Sequence, residues 1–236
     1  LGDGWYAGRL GMSQALSEDR RPRGVYGRTP KVRLWIDIEL ANGKRVSVGT
    51  DETWQSTLDG PIRSADLLDG VVMDLRMDLA DAAWSWAKIV EPKTTIEYQP
   101  NEPIRIVERL RPIAVTEPAP GIYVFDLGQN MPGWCRLKVE GESGDRVTLT
   151  HAEMLAEDGK VYTANLRGAD QKDEFVLAGG QATLEPKFTY HGFRYVQVEG
   201  LRRKPDLGDL EGVVFCSGAR EVGEFACSDP MLTRLW

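Results

Sequence analysis

The chain has 236 residues, enough for one large or two modest domains. Its 36 acidic and 29 basic side chains leave a net charge of −7. The acidic groups are dispersed and no basic face is evident, which argues against nucleic acid or an anionic membrane surface as partner. Cys135, Cys216 and Cys227 are odd in number and lack paired spacing, so no disulfide framework is implied. A reducing, cytoplasmic compartment suits them best, with secretion or a periplasmic site left open. No apolar run is long enough to span a bilayer.

From the beginning of the chain, Leu1–Gly11 reads as a strand and tight turn around Trp5 and Tyr6. Ser17–Arg28, polar and rich in Arg and Gly, reads as a loop. Lys31–Leu40 then alternates, placing Val32, Leu34, Ile36, Ile38 and Leu40 on one face. Asn42-Gly43 turns the chain into Arg45–Val48, a strong hairpin signal. Thr50–Trp54 begins a further turn and strand. Asp66, Asp69, Asp74, Asp78 and Asp81 follow; they read as a solvated rim of loops, with a calcium site as the alternative because hard cations take clustered oxygens. Trp84 and Trp86 are expected at the rear of the first sandwich, or else as platforms for a sugar ring.

Glu91–Pro112 carries four prolines and little alternation before Ile104-Arg105-Ile106-Val107. It reads as a linker running into an edge strand. Tyr123–Gly128 predicts a short strand ending in a polar turn at Gln129-Asn130. Trp134–Glu140 alternates, with Cys135, Leu137 and Val139 facing inward. Arg146–Glu153 alternates too, and Val147, Leu149, His151 and Glu153 share a face. Shorter strands are predicted at Lys160–Thr163, Glu174–Leu177, Thr183–Tyr190, Phe193–Glu199 and Glu211–Phe215. Such short strands, punctuated by Gly and Asp and without a helical period, predict an all-β sandwich. Ser228-Asp229-Pro230 is a helix start, with a capping side chain and then a proline where its missing N–H costs nothing.

The candidates for chemistry are His151, Glu153, Asp173 and His191. With only two histidines and no dense ligand motif, the residues point to a satisfied hydrogen-bond network rather than a metal or a general base. No serine sits in a nucleophile elbow, and no glycine run forms a phosphate loop. The sharper expectation is that His151, Glu153 and Arg194 form one structural network at a sheet margin, a carboxylate–guanidinium pair completed by the imidazole.

Three ordered blocks carry a family resemblance: FDLGQNMPGW, HAEMLAEDGKVYTANLRGAD and FTYHGFRYVQVEG. They resemble the concanavalin-like β-sandwich domain of bacterial α-L-rhamnosidases, of the glycoside hydrolase family 78 kind. LGDGWYAGRLG, TDETWQS and GPIRSADLLDG resemble the second half of that family's N-terminal jelly-roll domain, and EFACSDPMLTRLW resembles the start of its helical catalytic barrel. The resemblance implies an all-β fold of two antiparallel, jelly-roll-like sandwiches, the first incomplete, with a helix start at the end. It implies an incomplete jelly roll over 1–91, a linker over 92–103, the concanavalin-like sandwich over 104–222 and the barrel start over 223–236.

By this reading the chain is a piece of a longer, inverting hydrolase that removes terminal α-L-rhamnose. The catalytic carboxylates are expected in an (α/α)6 barrel beyond Trp236, so no residue here inherits a catalytic role and the chain alone is expected to be inactive. Its implied partners are a rhamnose-containing glycoside and its own barrel. No cofactor is expected, calcium being the one ligand weighed. The alternatives are a stand-alone rhamnose-binding module that uses calcium and a plain interaction domain.

Overall fold

A computed structural model describes residues 2–10, 23–91, 95, 97–220 and 222–235. The first element is a helical turn, α1 (Gly4–Ala7), closed by the Ala7 N–H on the Asp3 carbonyl at 2.9 Å. A strand was expected here. Asp3 does give its N–H to the Ala65 carbonyl, but the residues after it pair with no strand and satisfy their backbone locally instead. Leu1 and Gly11 lie outside the described residues, as do 17–22 of the expected loop; 23–28 carry neither helix nor strand.

The hairpin forms as the alternation predicts. β1 (Trp35–Glu39) and β2 (Arg45–Gly49) pair antiparallel with Ile36 opposite Val48 and Ile38 opposite Val46. β3 (Gln55–Ser56) is short. β4 (Ile62–Asp66) and β5 (Gly70–Asp74) make a second hairpin, and β6 (Ser85–Trp86) pairs back with β3. Trp84 and Trp86 do not pack at the rear of a sandwich. Both are exposed, and the Trp84 indole N–H reaches only the Leu79 carbonyl.

The second half supplies β7 (Ile104–Leu110), β8 (Ala114–Ala119), β9 (Ile122–Gly141), β10 (Arg146–Ala152), β11 (Met154–Leu155), β12 (Val161–Tyr162), β13 (Lys172–Val176), β14 (Gly180–Leu184), β15 (His191–Glu199) and β16 (Leu210–Ser217). Single 3-10 turns lie at Ala164–Leu166 and Leu207–Asp209. The expected turn at Gln129-Asn130 is absent: β9 runs unbroken through it. Gly128, at φ +80°, absorbs the local distortion without a Cβ penalty, and Pro132 is accommodated opposite Gly192. The expected Thr183–Tyr190 strand is also shifted. β14 starts three residues earlier, at Gly180, and stops before Glu185-Pro186, where proline removes a ladder donor.

Ten strands form one curled sheet ordered β4-β5-β13-β10-β15-β9-β16-β7, with β8 and β14 also on β9. The first half of β9 lies between β8 and β15, and its second half between β14 and β16. By exchanging partners along its length, one strand lets the sheet fold over on itself into a sandwich. The core is filled by inward residues of these strands: Phe125, Leu137, Leu149, Phe175, Leu184 and Phe193 are all essentially sealed from solvent. Each such side chain contributes about 1.5–3 kcal/mol of burial.

One connection departs from an all-antiparallel pattern. β5 pairs parallel to β13, Val72 opposite Glu174, so the 62–74 hairpin belongs to the large sheet and not to the β1–β2 region. Gly70 makes this approach possible: at φ +101°, its Cβ position would fall 2.1 Å from the Lys172 carbonyl oxygen. At the far end α2 (Pro230–Leu235) begins as the sequence indicates, with Asp229 Oδ1 accepting the Met231 N–H at 2.8 Å.

Candidate functional site

Alternation places three polar side chains inside the sandwich. In β10 the inward parity of Val147 and Leu149 brings His151 in; in β13 that of Phe175 brings Asp173; in β15 that of Phe193 brings His191. Their side chains have no solvent exposure. The two imidazoles stack with centroids 4.2 Å apart and planes at 25°, and Phe193 presents its edge to His151 at 4.7 Å.

The hydrogen bonds fix the protons. His151 Nδ1 lies 3.1 Å from the Gln171 carbonyl, which can only accept, so Nδ1 carries the hydrogen. Asp173 Oδ1 accepts from His191 Nε2 at 3.0 Å and from the Val71 N–H at 3.2 Å. His151 Nε2, Asp173 Oδ2 and His191 Nδ1 find no hydrogen-bond partner among the described residues, and the first two lie 3.9 Å apart. Burial, and then the charge of His191, press the His151 imidazole down to about 3 from its ordinary 6.5, so it is neutral in the fold. Burial pushes the Asp173 carboxyl up, but the charge and hydrogen bond of His191 outweigh it and hold Asp173 below the usual range. Cys135, wholly buried, is pushed up by burial and by Asp173 and stays a thiol.

The three residues offer ligand atoms all within 4.8 Å of one another. Their donor types suit zinc, and the Nδ1–H bond from His151 to a carbonyl is a common support for a ligating imidazole. The ring geometry opposes it. Imidazole lone pairs lie in the ring plane, and two rings stacked at 25° aim theirs nearly side by side rather than at a common point. The cluster is built as a polar lock in an apolar core. It also lacks the open cleft and second carboxylate that glycoside hydrolysis needs.

The expected network of His151, Glu153 and Arg194 is not assembled. His151 is in the core, not at a margin. Glu153 lies past the end of β10, exposed, and accepts from the Asn130 side chain at 2.8 Å. Arg194 does form a bidentate carboxylate pair, but with Asp126, through Nε and Nη2 at 2.8 Å each. That Arg194 hydrogen bond holds the Asp126 carboxyl below its usual range. β10 ends at Ala152 and the chain turns away, so inward parity does not extend to Glu153. Asp126 carried no local signal, because its contact with Arg194 depends on β9 pairing with β15.

Nor do the five aspartates converge. Asp66 Oδ1 caps the Leu68 N–H, while Oδ2 takes the Arg9 N–H and Arg23 Nη2. Asp69 pairs with Arg9 and Arg23, Asp74 with Arg76, and Asp78 caps the Ala80 N–H. Among the described residues no three of these carboxylates gather at one point. Arg9, Arg23, Asp3, Asp66 and Asp69 instead tie the N-terminal segment to the β4–β5 turn.

Comparison with known proteins matches residues 1–108 to the α-L-rhamnosidase N-terminal domain and residues 116–216 to the bacterial α-L-rhamnosidase concanavalin-like domain. An α-L-rhamnosidase of Streptomyces avermitilis is 40% identical over 243 residues, covering 98% of this chain and 23% of the relative. One from Formosa agariphila is 32% identical, covering 98% and 26%. The crystal structure of the Streptomyces avermitilis enzyme with L-rhamnose superposes with a TM-score of 0.84 over 98% of this chain and 23% of that one. The Aspergillus terreus enzyme, at 31% identity, superposes with 0.83 over 100% and 28%. The chain thus spans about a quarter of the length of the curated relatives it matches.

Proposed function

Because the chain belongs to the bacterial α-L-rhamnosidase family, whose N-terminal and concanavalin-like domains it carries, we propose that it is the non-catalytic β-sandwich region of an α-L-rhamnosidase. The whole protein would be a glycoside hydrolase that removes terminal α-L-rhamnose with inversion. This region would brace the helical barrel that holds the catalytic acid and base.

The burial of Asp173 supports this reading most. It is the carboxylate most closely set among imidazoles, and it is sealed in the core at 0% exposure, where no sugar reaches it. Arg194–Asp126 and Arg202–Asp145 are half-exposed pairs that hold loops and strands together, and the buried Asp66 and half-buried Asp69 are taken up by Arg9 and Arg23. A purified chain offered an aryl α-L-rhamnoside should release no phenol above the uncatalysed rate. Turnover that vanishes in Asp173→Asn would overturn the reading.

A second reading has its own observation. Trp35 and Trp86 are 68% and 69% exposed, and exposed indoles are platforms for sugar rings. A stand-alone rhamnose-binding module would use them. Calorimetric titration with L-rhamnose, with and without calcium, decides: the brace reading expects no heat of binding, and saturable binding lost in Trp86→Ala would favour the module.

A further inference from the structure

The buried cluster sits at a structural seam. The large sheet begins with β4 and β5, and β5 is held to β13 by a short parallel ladder. Asp173 Oδ1 bridges that seam, since it accepts the Val71 N–H of β5 while bound to His191 of β15. The same hairpin is held by Thr189 Oγ1 on the Asp66 carbonyl and by the Asp170, Gln171 and Lys172 amides on Leu68 and Asp69. Through Asp66 and Asp69 it also carries Arg9 and Arg23.

We propose that His151, Asp173 and His191 form an acid-released bolt that fastens the 62–74 hairpin, and with it the N-terminal segment, to the sandwich. The inference stands apart from the proposed function. A neutral, wholly buried imidazole with a bare Nε2 cannot take a proton without opening its surroundings. Opening occurs where the least structure is lost, and the terminal hairpin of the sheet is that place. β9, held by β8, β14, β15 and β16, is not.

The titratable groups facing His151 are few. β13 supplies Asp173 and β15 supplies His191. β9 supplies Cys135, which stays protonated. β4 and the β4–β5 turn bring Asp66 and Asp69, both committed to arginines, and β5 brings the Val71 amide. On the outer face Lys172 and Glu174 pair with each other. Acidification therefore acts through the buried trio.

Hydrogen-exchange protection factors at pH 7.5 and 4.5, corrected for intrinsic exchange, test this. The wild-type chain should lose at least ten-fold protection at 70–74 and 172–176 on acidification, while 135–139 and 213–214 keep theirs. His151→Phe keeps the ring stack, and the backbone N–H of residue 151 still satisfies the Gln171 carbonyl; it should abolish the acid-dependent loss. Asp173→Asn should lower protection at 70–74 already at pH 7.5. A loss spread evenly over the sheet, or the same acid response in His151→Phe, overturns the proposal. Should His151→Phe fail to fold, the wild-type profile alone decides between local and even loss.

Discussion

The β1–β2 hairpin and the β10–β15 pair are written in the same alternating code and end in opposite environments. Val147, Leu149 and His151 of β10 are sealed, because β13 and β15 flank the strand and the folded sheet covers its inner face. Ile36, Ile38, Val46 and Val48 form the same kind of cross-strand face, yet each is more than a third exposed. Alternation tells a chain to become a strand; burial needs a second layer. The 104–217 region brings its own second layer by folding β9 over, and β1–β2 has none among the described residues.

The sharpest way to break this contrast is to truncate one side chain in each place. Leu149→Ala should cost about 2–5 kcal/mol in urea unfolding, since it removes buried methyl groups and leaves a cavity. Ile38→Ala should cost less than about 0.5 kcal/mol, as an exposed substitution. Equal losses would mean that the hairpin face is covered.

Acid comes next. The folded chain keeps His151 neutral down to about pH 3, whereas the unfolded chain takes up a proton near its ordinary 6.5. Stability is therefore full above about pH 6.5 and falls as pH drops towards 3, by up to about 1.4 kcal/mol per unit. Asp173, held below 3.8, adds a further loss only below that value. Urea midpoints measured from pH 7.5 to 4 should fall in wild type and fall less in His151→Phe. A flat profile would show that the imidazole is not sealed.

The smallest effect belongs to Arg194. Its bidentate pair with Asp126 is well formed but partly exposed, so Arg194→Ala should cost at most about 1 kcal/mol, and less in high salt. A larger cost would mean that this face is covered.

Local pattern carried the reading a long way. The Asn42-Gly43 hairpin, the inward parity of Cys135, Leu137 and Val139, and the cap at Asp229 are all set by residues close in sequence, and each is where the sequence indicates. His151 was visible as a polar side chain on an apolar strand face, while Asp173 and His191, though candidates, fell just outside the predicted strands Glu174–Leu177 and Phe193–Glu199 and belong to β13 and β15. Their meeting was not visible, because it depends on β10 lying between β13 and β15. The partner of Arg194 was missed for the same reason: Asp126 is 68 residues away and reaches it through register. The parallel pairing of β5 with β13 crosses about a hundred residues and has no local signature. Gln129-Asn130 failed in the other direction, since turn-forming residues were overridden by the ladder on both sides of β9.

The most direct test of the contrast is the protease-resistant core of the chain at neutral pH, identified by mass spectrometry. The account predicts early cleavage within 23–59 and 75–100 and a resistant product that retains Ile104–Ser217. A resistant product that keeps 35–56 and loses 122–199 would contradict it.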